Sequence, residues 1–248
     1  MKVSIITVVY NNANVIKSAI DSVLNQTYEN IEYIIIDGKS TDGTVDIVNS
    51  YGDKISKFIS ERDKGIYDAM NKGLQLATGD VIGILNSDDF YISNDVIEKV
   101  IKEFEENNVD SIFADLVYVK SDNLNKVVRY YDSSRCFPEN FKKALYPAHP
   151  TFFVKKEIYD KYGVFKADYK IAADFDLMAR FLCTHQISYA YLKEPIIKMR
   201  VGGVSTSLKS LYINSLEQLR VCRENGIDTN PFYILSKYPS KILGLFTK

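Results

Sequence analysis

The chain has 248 residues, of which 46% are apolar and 25% charged, with a formal net charge of −1. That length and balance fit one large domain, or one domain with a small C-terminal extension, and the missing basic excess argues against a nucleic-acid partner. Cys136, Cys183 and Cys222 are too scattered for a zinc site or a disulfide framework and suit a reducing cytosol.

The N-terminal run Val3–Tyr10 is apolar and β-branched and leads into polar NNAN without a cleavage-site pattern, so it reads as a buried first strand rather than a signal peptide. Val15, Ile16, Ala19, Ile20, Val23 and Leu24 follow at helical spacing, with Asn14 as N-cap. Ile31–Ile36 is a second strand that ends at Asp37, and TDGTVDIVNSY opens a second helix near Thr41 or Asp42. Lys57–Ser60 reads as a short strand, Gly65–Ala77 as a helix and Val81–Leu85 as a fourth strand. Val96, Ile97, Val100, Ile101 and Phe104 mark another helix.

Strands that are apolar throughout, alternating with helices, predict an α/β fold with a mainly parallel sheet covered on both faces. Ligands of such sheets bind beyond the carboxyl ends of the strands. Three polar clusters fall there: Tyr10-Asn11-Asn12, Asp37-Gly38-Lys39-Ser40 and Ser87-Asp88-Asp89.

After about residue 108 the alternation loosens. Ile112–Val119 and Lys126–Tyr130 read as strands, Asp132–Tyr146 as loop with short helix and Thr151–Val154 as a brief strand. Lys155–Tyr162, Ala173–Cys183 and 207–225 read as helices. No window is long and apolar enough to span a bilayer.

Each polar cluster has a chemical reading and a plainer one. Asp88-Asp89 suits Mg²⁺ or Mn²⁺, hard ions that take oxygen ligands; alternatively the pair caps a following helix. Asp37 could accept hydrogen bonds from a base or ribose, or simply close an Asx-turn. Arg62-Asp63-Lys64-Gly65 could face a diphosphate at a helix start, or be solvated surface. Within IAADFDLMAR, Asp174 and Asp176 cannot face the same way; one suits a general base while the other caps or pairs with Arg180. His149, between Pro147 and Pro150, is a candidate metal, phosphate or acceptor contact, against a structural role. His185 reads as a helix C-terminal residue. GxGxxG and GxxxxGK[ST] motifs are both absent.

Together, SIITVVYNN (4–12), VLNQTYENIEYIIIDGKSTDGT (23–44), DKGIYDAMNKGLQLATGD (63–80) and ILNSDDF (84–90) resemble the family 2 inverting glycosyltransferases of GT-A fold. HPTFFVKKEIYDKYGVF (149–165), AADFDLMARFL (172–182) and VGGVS (201–205) are similar to members that build bacterial surface polysaccharides such as capsule and lipopolysaccharide. Lys39 departs from the DGGSTDGT and DDGSTDGT of many relatives. The resemblance implies a nucleotide-sugar-binding half (1–108), an acceptor-binding half carrying the base (109–205) and a helical extension (206–248). It implies that Thr7, Val9 and Tyr10 line a nucleoside pocket by backbone and ring contacts, and that Asp37 accepts from the base. Asp63 and Lys64 would lie near base or ribose, Asp88 toward the ribose, Asp89 on Mn²⁺ or Mg²⁺, and Asp174 would be the catalytic base. The implied donor is a nucleotide sugar with UDP first, and the acceptor a glycan or lipid-linked glycan. The rival readings are a sugar nucleotidyltransferase, which normally has a glycine-rich basic loop where this chain has YNNAN, and a non-catalytic nucleotide- or glycan-binding module.

PFYILSKYPSKILGLFTK (231–248) mixes apolar residues with Lys237, Lys241 and Lys248 and has no acid. It suits either packing on its own domain or a second subunit, or contact with an anionic membrane at the cytoplasmic face.

Overall fold

The structure is a computed structural model that describes residues 1–201 and 208–236. Its spine is a nine-stranded sheet in the order β3-β2-β1-β4-β8-β6-β9-β5, with β7 beside β6. The first four strands, β1 (Val3–Val9), β2 (Ile31–Asp37), β3 (Lys57–Ser60) and β4 (Val81–Ile84), are parallel, as the alternation predicts. The remainder is mixed: β5 (Asp89–Tyr91), β6 (Ser111–Lys120), β7 (Asn123–Tyr131), β8 (Phe153–Lys155) and β9 (Tyr189–Arg200). β8 is antiparallel to both β4 and β6 and so joins the two halves into one sheet.

The strand period of two sorts β1 into two cores. Ile6 and Val8 face one side, where α3 (Ile66–Leu76), α5 (Lys156–Tyr162), α6 (Ala173–Met178) and α7 (Leu208–Glu224) pack; α8 (Pro231–Leu235) adds Ile234. Val3, Ile5 and Val9 face the other, under α1 (Ile16–Leu24), α2 (Thr44–Asn49) and α4 (Val96–Asn107). Gly73 lets α3 approach β1: a Cβ there would stand 2.4 Å from Ile6 Cγ2. The close approach fixes the start of α3 above the strand ends.

At the opposite edge, Glu32 is 5% exposed and takes hydrogen bonds from Ser4, Thr78 and Lys2, with Lys57 Nζ at 3.1 Å. Burial pushes its carboxyl up, but the bonds from Ser4, Thr78 and Lys57 outweigh that and hold it at about 2.

Four expectations are corrected. Ser87-Asp88-Asp89 does not cap a helix, because Asp89 opens β5, which pairs with β9. β9 itself, 12 residues long, has no counterpart in the periodicity because its tyrosines, lysines and Pro195 break the apolar run. The helix from Ala173 is α-helical only to Met178 and then widens to a π-turn over Ala179–Thr184. Asn14 does not cap α1; the capping position is Val15.

Candidate active site

The carboxyl ends of β1, β2 and β3 gather Tyr10, Gly38 and Asp63. A Cβ on Gly38 would lie 2.7 Å from Asp63 Oδ2 and 3.2 Å from the Tyr10 ring, so glycine leaves room for both. Tyr10 is exposed and presents its ring to the crevice, whereas Thr7 and Val9 are buried. Thr7 Oγ1 is bonded to Tyr33 Oη at 3.1 Å, and the Val9 carbonyl accepts from Gly38 N at 2.8 Å, so neither side chain faces a ligand.

Asp37 ends β2, directly before Gly38. It has no exposed surface; its carboxylate accepts from Ser40 N at 2.9 Å, Ser60 Oγ at 2.6 Å and the Ser40 hydroxyl. It builds the 38–40 turn. Lys39 in that turn has φ +67°, a left-handed conformation that glycine adopts without strain, which accounts for glycine in relatives. Asp63 Oδ1 accepts from Gly65 N at 3.0 Å, just before α3, while Lys64 is exposed and its backbone N–H donates to Asp68.

The loop after β4 carries the paired carboxylates. Asp88 is half-buried; Asp89 is 1% exposed. Asp89 Oδ2 accepts from Asn86 Nδ2 at 3.3 Å, but Asp89 Oδ1 and Asn86 Oδ1 are buried without a partner. Burial, and then the neighbouring Asp88 charge, push the Asp89 carboxyl well above its ordinary range. An orphaned carboxylate oxygen beside an orphaned amide oxygen and a second carboxylate is an all-oxygen donor set that fits a hard divalent cation. Among the described residues no three His, Cys, Asp or Glu side chains are grouped as a metal cage.

Arg200, at the end of β9, is the protein's own countercharge to this loop. Its guanidinium donates to the Asp88 carbonyl and to Ser18 Oγ at 2.9 Å and lies 4.9 Å over the Phe90 ring. Burial lowers its pKa while Asp88 and Asp89 oppose that effect. Sequence reasoning missed Arg200, although it directly precedes the VGGVS motif.

Beside this loop opens a cavity of about 540 Å³ whose walls include Asn86, Tyr118, Arg129, His149, Asp174 and Asn214. Asp174 sits at the start of α6 and accepts from Phe175 N at 2.8 Å. Asp176 is completely buried, with Lys166 Nζ at 2.9 Å and Arg180 Nε at 2.8 Å. Arg180 also donates to the carbonyls of Tyr162 and Val164, both at 2.7 Å, so Asp176 and Arg180 are structural. The segment before α6 is held from two sides. Tyr67 of α3 donates to the Ile171 carbonyl, and Glu217 of α7 accepts from the backbone N–H of Lys170, Ile171 and Ala172 at 2.8, 2.9 and 3.0 Å. Glu217 carried no local signal, since its partners lie more than 40 residues away.

His149 begins a 3₁₀ turn over His149–Thr151, packed edge-on against Phe165. Burial lowers its imidazole to about 4, so the ring is neutral at physiological pH, and its Nε2 is buried without a partner. His185 is remote from this cavity and stacks on Tyr162 at 3.9 Å. Of the C-terminal run, Ile234 is buried while Phe232 is 85% exposed; 237–248, like 202–205 of VGGVS, lie outside the described residues. No helix among the described residues is long and apolar enough to cross a membrane.

Residues 4–163 match Glycosyl transferase family 2, more than half of the chain. An uncharacterized glycosyltransferase of Rickettsia typhi is 34% identical over 225 residues, 87% of this chain and 68% of that protein. A PGL/p-HBAD biosynthesis glycosyltransferase of Mycobacterium bovis is 27% identical over 209 residues, covering 83% of this chain and 79% of that one. Among solved structures, S. aureus TarS 1–349 in complex with UDP-GlcNAc superposes with a TM-score of 0.68 at 18% identity. That match covers 88% of this chain and 66% of the TarS fragment; against a longer TarS chain the coverage is 39%. The mannosyltransferase PcManGT from Pyrobaculum calidifontis, in complex with GDP-Man and Mn²⁺, gives 0.70 at 20% identity, covering 95% of this chain and 68% of that one. The likeness to these solved structures gives the fold, GT-A, and the sequence match gives the family: the chain is a glycosyltransferase that belongs to glycosyl transferase family 2.

Proposed function

We propose that the enzyme moves a sugar from a nucleotide-sugar donor, with UDP the first candidate nucleotide, to a hydroxyl of a glycan or lipid-linked glycan, by one displacement with inversion. The observation that carries this reading is that a single cavity has the carboxylate loop on one side, through Asn86, and Asp174 on another. Residues 1–108 would hold the donor and 109–205 the acceptor. Tyr10 and Asp63, around Gly38, would take the nucleoside, with Lys64 nearby and Asp88 toward the ribose. The solved relatives bind UDP-GlcNAc in one case and GDP-Man with Mn²⁺ in another, which supports a nucleotide sugar and leaves the base to experiment.

Asp89, with Asn86 beside it, would hold Mn²⁺ or Mg²⁺, and such an ion offsets the charge that develops on a leaving nucleoside diphosphate. The chain's own contribution is at the acceptor. Asp174 takes the proton of the attacking hydroxyl as the new bond forms to the anomeric carbon and the bond to the diphosphate oxygen breaks. His149 stays neutral and positions substrate through Nε2. The test is transfer or slow hydrolysis of UDP- and GDP-sugars with and without Mn²⁺, with product configuration read by NMR. Inversion in wild type and loss of metal-dependent nucleotide binding in Asp89→Asn are expected. A retained configuration, or pyrophosphate release from a nucleoside triphosphate, would overturn the reading.

A further inference from the structure

The same cavity carries an ionic feature that the transfer chemistry leaves unexplained. Arg129 and Arg135 both line it, and among the described residues neither has a carboxylate or other hydrogen-bond partner. Arg129 is half-buried, its guanidinium 4.4 Å from the centre of the Tyr118 ring and 5.8 Å from that of Tyr131. Stacking of this kind covers the flat faces of the guanidinium and leaves the N–H groups at its edge for an oxyanion.

The position separates these arginines from the donor. Strand register puts Asp89 opposite Met199, Met199 opposite Tyr118, and Tyr118 opposite Arg129, one row across β5, β9, β6 and β7. Directly opposed residues share a sheet face, and three strand spacings of about 4.8 Å place the Arg129 backbone roughly 14 Å from that of Asp89. With a diphosphate held at Asp89, Arg129 is assigned to a different group, and the UDP affinity of the variants below tests that assignment.

Among the described residues no ion pair joins the acids of the cavity wall, Asp132 and Asp174, to these arginines. Asp132 accepts from Ser134 N at 2.7 Å and from Tyr191 Oη at 3.5 Å, and Asp174 accepts at the start of α6. Between the two ends stand polar atoms still waiting for partners: Asn86 Oδ1, His149 Nε2 and Asn214 Oδ1, all buried and all belonging to residues of this wall. With Asp89 Oδ1, these are the four such side-chain atoms among the described residues, and they fall in one place. Buried polar groups are normally satisfied, so this concentration marks a ligand that brings its own hydrogen bonds.

Resting on the reading of this cavity as the acceptor side, we propose that the acceptor is an anionic sugar: its carboxylate or phosphate pairs with Arg129 and Arg135, and its hydroxyls meet His149 and Asn214.

The test uses the full-length protein saturated with UDP and Mn²⁺. Calorimetry compares p-nitrophenyl β-glucoside with its glucuronide and its 6-phosphate. At least one anionic probe is expected to bind about tenfold or more tighter than the neutral one, with the preference shrinking as NaCl is added. The better anion identifies carboxylate or phosphate. Arg129→Ala with Arg135→Ala should abolish the preference and leave UDP affinity unchanged; Arg135→Ala alone, at an exposed position, keeps the test valid if the double variant misfolds. Equal binding of neutral and anionic probes would overturn the anion subsite but keep the cavity as acceptor site. No binding of any probe would overturn both. A fall in UDP affinity in the variants would return the arginines to the donor and overturn the proposal.

Discussion

Asp174 and Asp176, two positions apart on α6, face different surroundings: Asp174 lines the cavity, while Asp176 is completely buried between Lys166 and Arg180. Two residues along a helix rotate the side chain by about 200°, so one turn presents a carboxylate to substrate and another to the core.

The two substitutions should therefore fail differently. Asp174→Asn is expected to keep nucleotide affinity and fold while transfer falls by about 10²–10⁴, the usual contribution of a general base. Asp176→Ala removes the buried carboxylate shared by Lys166 and Arg180, which keep only Glu224 and the Tyr162 and Val164 carbonyls, and should lower unfolding free energy by about 2 kcal/mol, read by urea denaturation. Full activity in Asp174→Asn would remove it from the chemistry.

Glu217 should act through Asp174 without touching substrate. Replacing it with alanine releases three N–H groups of residues 170–172 that its carboxylate now gathers. The expected result is a kcat lower by about tenfold or more at unchanged KM for the donor, with partial rescue by Glu217→Gln, whose side-chain oxygen still accepts. A loss confined to thermal stability, with kcat intact, would make the residue merely structural.

Gly38→Ala tests the nucleoside end. The added methyl would come within 2.7 Å of Asp63 Oδ2 and must displace it or the Tyr10 ring. Nucleotide affinity should drop about tenfold, while the melting temperature changes little because both groups stand at the crevice. Unaltered affinity for UDP would place the nucleoside elsewhere.

Acid sensitivity should trace in part to Glu32. Its carboxyl is held at about 2, below the ordinary 4.5, so the unfolded chain binds the proton first as pH falls. Its stabilisation is present above pH 4.5 and is lost as pH falls through that value toward 2, a change of about 3 kcal/mol. Glu32→Gln should flatten the stability curve over that range, measured by denaturant titration at stepped pH.

The first half was legible because β1, β2 and β4 are buried almost throughout and read as near-continuous apolar runs, as in Tyr33–Ile36. The separation of Asp174 from Asp176 and the pairing of one of them with Arg180 follow from helical spacing, whereas the second partner of Asp176, Lys166, lies ten residues earlier outside the helix and left no such signal. β9 was invisible because a strand at a mixed, partly exposed position alternates irregularly, and β5 is three residues long. Arg200 and Glu217 act across more than a hundred and more than forty residues of chain, respectively, and contacts of that span leave no periodic trace. Asp37 carried two readings because its place at a strand end suits a ligand contact and a turn equally; the bonds from Ser40 and Ser60 that show the turn are visible only in the fold.

The bridging strand β8 has a mechanical consequence. It is hydrogen-bonded to β4 on one edge and to β6 on the other, so any hinge that swung the donor-side strands away from the cavity-side strands would have to tear ladder bonds. The β6–β7 hairpin lies outside that seam, with the outer edge of β7 unpaired among the described residues. A two-jaw opening between the halves is therefore the costly motion for this fold.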